Sequence, residues 1–357
     1  MLQSRLRLLS TNSGKLKILC TQIPDYRDLL VGINIRLIFY PMVMAKRNYS
    51  KRSKIEPAVM TVPFVLPADA AVSTIDLSQV ASLINRRFYR QGINWAVAGF
   101  KVISPGNATG SLSIAQVPNT WVTSNAWEKA FRAWNKQQME AVDDSGAQSA
   151  VAKFRDFKVF ADVTHANAGV AGNLLPIDFA GAAYAAGEWE ASQIVIPYGT
   201  GVGGTTVERF LHMAGVNFNA STSRGVIEGY ADSRAYPQSP DPVSPAIDNN
   251  NNWLAKMFDT GETFSDVLEN ATDRNDNLPY PQVDYPGGET QAPTLQYHDS
   301  AIISATTIGG VTSLKGGNFP CGLIRIASVI DTPGTILQVN LVPGNHRGYL
   351  CEPMTEM

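Results

Sequence analysis

The chain has 357 residues, 44% hydrophobic and 17% charged, with a formal net charge of −2. This excludes a disordered or fibrous protein and leaves room for a large core, since all-β domains often pass about 200 residues as one unit. The charge is split: residues 1–56 carry 11 Lys/Arg against 3 Asp/Glu, and the rest carry 18 against 28, a basic leader on an acidic body.

Residues 1–43 show no sustained period of 2 or 3.6. Their longest apolar run, 29–44, is broken by Asn34 and Arg36 and is too polar for a bilayer span, so no membrane partner is expected. Met44 opens MAKRNYSKRSK, which reads as a natural N-terminus. Residues 1–43 are therefore expected to be upstream sequence; the other reading is a basic, acid-poor transit peptide. Residues 44–57 read as a disordered basic arm. Lys46, Arg47, Lys51, Arg52 and Lys54 fall within nine residues without an acid, a pattern that suits phosphate backbones, a solubilising tail or an import signal.

From residue 58 the chain is written in short strands. The segment 77–101 predicts an amphipathic helix, then a corner where Arg86, Arg87 and Arg90 mix with Phe88 and Tyr89, then a turn at Gly92 into a long strand. Arginine and aromatic residues mixed in this way suit a core, an interface or a nucleic-acid contact. Further strands are predicted over 59–66, 94–103, 111–117, 155–163, 192–197, 225–230, 301–306, 322–330 and 335–342. Strands and long helices do not alternate regularly, which argues against a parallel sheet. The fold class expected is all-β: a single antiparallel jelly-roll sandwich over 58–357 with helical and loop insertions.

A helix is predicted over 125–142, with Asn125 as cap three residues before Glu128 and Trp127, Phe131 and Trp134 on one core-facing side. Helical pieces are also expected over 253–270. The stretch 232–299 holds 12 acids against 3 basic residues, and four prolines (Pro237, Pro240, Pro242, Pro245) precede an asparagine run. It reads as a surface projection.

No enzyme motif appears, and the protein is expected not to be an enzyme. The histidines His165, His212, His298 and His346 stand alone, and His298 beside Asp299 reads as a surface turn. The glycine-rich 199–206 lacks the spacing of a phosphate loop. Asp273, Asn275 and Asn277 open like a calcium loop, but Leu278 stands where that loop needs glycine and Asp284 where it needs glutamate. An acidic surface loop is the plainer reading, with calcium a weak second; no other cofactor is expected. Three distant cysteines (Cys20, Cys321, Cys351) build no disulfide framework, and a reducing compartment is expected.

Three segments in order, SQVASLINRRFYRQGINWAVAGFKV, VPNTWVTSNAWEKAFRAWNKQ and FRDFKVF, resemble the capsid proteins of small circular single-stranded DNA viruses that encode a rolling-circle replication protein. The resemblance covers about residues 77–197. It implies one jelly roll, a basic arm facing a packaged single-stranded DNA genome, and self-assembly into an icosahedral shell. The arm 46–54 is shorter and less basic than is usual in that family. The resemblance further implies residence in the virion and assembly in the host cytoplasm or nucleus, with a host receptor of unknown kind. The alternative is a jelly-roll carbohydrate-binding or attachment module with Tyr236, Trp253 and Tyr285 as a ligand platform. A jelly-roll hydrolase has no spacing signal behind it.

Overall fold

Alternating apolar and polar residues build a five-stranded and a four-stranded antiparallel sheet whose inward faces share one core. The computed structural model describes residues 57–150, 155–198, 205–217, 222–233, 253–257 and 294–357. The chain enters through β1 (Thr61–Val65) and β2 (Asp69–Asp76), passes helix α1 (Leu77–Asn85), and continues into β3 (Ile93–Ile103) and β4 (Gly110–Gln116). After a long insertion it returns through β9 (Gln296–Ile303), β10 (Val311–Phe319), β11 (Leu323–Ile330) and β12 (Ile336–Leu341). One sheet has the order β1-β12-β3-β10, the other β2-β11-β4-β9.

Register explains the core. Val62 pairs with Val339, which pairs with Phe100, which pairs with Leu314, and all four are buried. In the other sheet Ile326 pairs with Ile114, and Leu112 with Ala301. These rows belong to a single cluster, in which each large apolar side chain contributes about 1.5–3 kcal/mol by leaving water. The protein is predominantly β with antiparallel sheets, compatible with a β-sandwich.

The insertion between β4 and β9 carries α2 (Trp121–Asp144), β5 (Phe160–Asp162), α3 (Val163–Ala168), β6 (Gln193–Tyr198), β7 (Thr205–Ala214), β8 (Ser223–Gly225), α4 (Val226–Ser233) and α5 (Trp253–Lys256). Its strands form their own sheet, β5-β7-β6 with β8 also on β7, and two of its pairings are parallel. The strands expected over 155–230 therefore do not extend the sandwich. A second core gathers Trp134, Phe157, Ile196, Leu211 and Trp253, and joins the sandwich end through Val117, Leu323 and Met354.

Several local expectations are corrected. Residues 225–230 form the start of α4, because Val226, Ile227, Tyr230 and Ala231 recur at helical spacing. Of 155–163 only Phe160–Asp162 is strand. Phe157, Val159 and Ala161 are buried as the alternation required, but side chains replace the ladder: Gln91 Oε1 accepts from Val159 N (2.6 Å) and Ser192 Oγ from Lys158 N (3.0 Å). Helix α2 begins at Trp121, not Asn125, with Thr120 as its cap. Its aromatic stripe packs as expected, Trp127 stacked on Phe131 at 5.3 Å and Trp134 against Phe157 at 5.4 Å. Gly92 is required beside it, since a Cβ there would lie 2.4 Å from the Trp127 ring.

Two short hairpin strands, β13 (Pro343–Gly344) and β14 (Gly348–Tyr349), and β15 (Cys351–Pro353) on β3 close the chain.

Candidate nucleic-acid interface

The corner after α1 is built from the end of β2 onward. Asp76 caps the helix, accepting from Ser78 N (2.9 Å) and Gln79 N (3.3 Å). The same carboxyl accepts from Trp189 Nε1 (3.0 Å) and Gln91 Nε2 (3.2 Å), so it ties the insertion to the sandwich. Burial pushes its pKa up against the pull of those donors. Helix α1 stops at Arg86, whose backbone is left-handed (φ 51°, ψ 41°). Tyr89 then anchors the segment: its ring is fully buried against Trp95 and Tyr349, its N donates to Ser82 Oγ (3.0 Å), and its hydroxyl donates to Arg347 O (2.9 Å).

With Tyr89 pointing inward, Arg86 and Arg90 face solvent, while Arg87 and Phe88 are half-buried. The hairpin of β13 and β14 adds Arg347, which is exposed and whose guanidinium donates to Phe88 O. Arg347 was invisible to sequence reasoning, since it lies 259 positions from the residue it touches; a lone arginine in a turn carries no signal. Beneath the arginines, Phe88 packs against Trp189 (ring centroids 6.4 Å), and Lys158 Nζ sits 4.4 Å over the Trp189 ring. Arg90 and Lys158 both pull down the carboxyl of Asp156, which burial nonetheless holds at about 6. The corner thus combines cations with aromatic faces, the two parts of single-strand recognition.

Backbone geometry adds a second observation. Among the described residues four non-glycines have a left-handed φ: Asp69, Arg86, Cys321 and Arg347. Two of them are arginines of this corner. Glycine is the low-cost residue at such positions, and a side chain there costs about 1–2 kcal/mol. At both positions the chain carries an arginine in spite of that cost.

The corner also lies where the chain leaves the arm. Val59 N donates to Asn85 Oδ1 (3.1 Å), and Tyr349 Oη donates to Val59 O (2.8 Å). Asn85 immediately precedes Arg86, and Tyr349 follows Arg347 by two residues. Lys54 is five residues before Val59, at most about 17 Å of extended chain. Lys46, Arg47, Lys51, Arg52 and Lys54 themselves lie outside the described residues, as do Asp273, Asn275 and Asn277 of the calcium reading.

The other chemical candidates are structural. His165 Nδ1 accepts from Ala161 N (3.1 Å), so Nε2 donates to Asn173 Oδ1 (2.6 Å). His212 Nε2 donates to Val216 O (3.0 Å), leaving Nδ1 to accept from Ser223 Oγ (2.9 Å). Burial lowers both to about 4, so each is a neutral packing group. His298 Nε2 donates to Lys315 O (3.0 Å), while the Asp299 carboxyl accepts from the backbone of Ser300 and Lys315; the two do not form a dyad. Trp253 is buried and donates to Asn217 Oδ1 (2.9 Å), which removes it from any exposed sugar platform. Tyr236 and Tyr285 lie outside the described residues. No protein-family model, curated protein or solved structure matches the chain.

Proposed function

We propose that this chain is a structural capsid subunit that self-assembles into an icosahedral shell and packages circular single-stranded DNA, without strong sequence preference, through its basic arm. The observation that supports this most is the strand order. Counted along the chain without the insertion, the eight sandwich strands run 1-8-3-6 in one sheet and 2-7-4-5 in the other. That interleaving is what two nested Greek keys produce, and it supports a jelly roll, a fold used by viral shells. The fold alone does not specify function. Arg86, Arg87, Arg90 and Arg347 supply the second part: cations for phosphates beside the half-buried Phe88 and Trp189 rings.

On this reading catalysis is not required of the chain; geometry repeated by symmetry is its work. The acidic, proline-rich stretch within 232–299 would face away from the genome. The protein would reside in the virion and assemble in the host cytoplasm or nucleus. Expression from Met44 followed by electron microscopy over a range of salt and pH tests the reading. Closed particles of uniform diameter are expected; monomers under every condition would overturn it.

A further inference from the structure

The outward face of β2-β11-β4-β9 has two surroundings. One end is roofed by the insertion: in the row Thr74, Arg325, Ala115 and Tyr297, Arg325 reaches the Asp162 carboxylate and Thr74 bridges to Asn173. Thr74 and Arg325 are accordingly 1% and 7% exposed. Among the described residues, no hydrogen bond or ion pair to the insertion roofs the next two rows, Val72-Ala327-Ser113-Ser300 and Ala70-Val329-Ser111-Ile302. Val72 is 58% exposed, Val329 56%, Ile302 79% and the adjoining Tyr297 68%. Those eight positions and Tyr297 hold only alanine, serine, valine, isoleucine and tyrosine, with no formal charge. A contiguous uncharged patch with protruding apolar side chains is a surface that suits an interface.

Its charge selects the occupant. The outward face of the other sheet carries Lys101 and Lys315, so laying that face on its own copy would oppose like charges. The uncharged face carries no such penalty and suits an isologous contact, in which one patch meets itself. Area sets the strength. Nine positions at sheet spacing cover about 300 Å², against roughly 800 Å² per partner in a stable pair. Such a contact is too small to hold a lone dimer and fits one of several that sum around a closed assembly.

We propose that the outward face of β2-β11-β4-β9, centred on Val72, Ile302 and Val329, is a self-association surface seated against the same face of a second copy. The inference rests on the self-assembling reading above and names the surface it would use. The test compares wild type with the Ile302→Asp/Val329→Asp double variant by sedimentation velocity, alongside thermal melting and binding of a labelled single-stranded oligonucleotide. A buried, unpaired carboxylate at each contact is expected to weaken self-association by about tenfold or more, with melting and oligonucleotide affinity unchanged. A variant that assembles like wild type overturns this inference and leaves the shell reading standing; a wild type that stays monomeric overturns both. If the aspartates prevent folding, Ile302→Thr with Val329→Thr keeps strand-compatible side chains. Unweakened assembly of that pair overturns the inference equally.

Discussion

Arg86 and Arg347 carry the residue-scale case, because backbone cost and side-chain use diverge there. Arg86 ends α1 in the left-handed conformation that glycine adopts freely. Arg86→Gly is expected to raise stability by about 0.5–1 kcal/mol. The same substitution is expected to weaken single-stranded DNA binding and to lower its salt slope by about 0.7, one phosphate contact. Denaturant melts and anisotropy titrations at several salt concentrations read the two effects separately. A glycine variant that gains stability with an unchanged salt slope would leave Arg86 a purely structural cap. Arg347 is held by the same logic, with its carbonyl accepting from Tyr89 and its guanidinium bound to Phe88 O.

At the scale of elements, the seam between sandwich and insertion is polar. Arg325 joins β11 to Asp162 at the end of β5, and Asn173 links His165 to Gln79 of α1 through its own Nδ2 (2.8 Å). The His165 ring is held neutral chiefly by burial, with its Nδ1 accepting from the Ala161 N–H. Its folded pKa of about 4 lies below the ordinary value, so its contribution is complete above 6.5 and is lost as pH falls toward 4. The advantage of wild type over His165→Gln in unfolding free energy is expected to shrink by roughly 2–3 kcal/mol across that window. A constant difference would contradict it. Asp156 acts with the opposite sign: held at about 6, it favours folding at low pH and loses that contribution as pH rises to 6. Asp156 thus offsets part of the His165 dependence, while His212, also lowered to about 4, adds to it.

The elements also show how much could be read in advance. β1, β3, β4, β11 and β12 stood out because their apolar residues alternate and their ends carry turn residues. β10 did not, because Gly316 and Gly317 interrupt its alternation; Gly316 crosses so close to β3 that a Cβ would meet Val97 O at 2.1 Å. β2, Asp69–Asp76, hid behind alanine, serine and threonine whose value lies in the flat face they present. The α1 corner was legible as a basic and aromatic cluster. Its partner Arg347 and the hold of Tyr349 on Val59 were not, because both depend on contacts hundreds of positions apart. The mixed sheet of the insertion was missed for a different reason: parallel pairing of β5 and β8 with β7 leaves no local signature.

For the whole molecule, the sequence is basic over 46–54 and acidic over 232–299. On the proposed shell reading the first would face the genome and the second the outside, and each contact could be modest because symmetry repeats it. The most direct measurement is nuclease protection: the protein is assembled with circular single-stranded DNA, sedimented, and treated with a single-strand nuclease before the particles are opened. Full-length circles recovered from the particle fraction, and lost when Lys46, Arg47, Lys51, Arg52 and Lys54 are replaced by alanine, are the predicted result. Complete digestion of the DNA beside intact particles, or equal protection without the arm charges, would contradict the account.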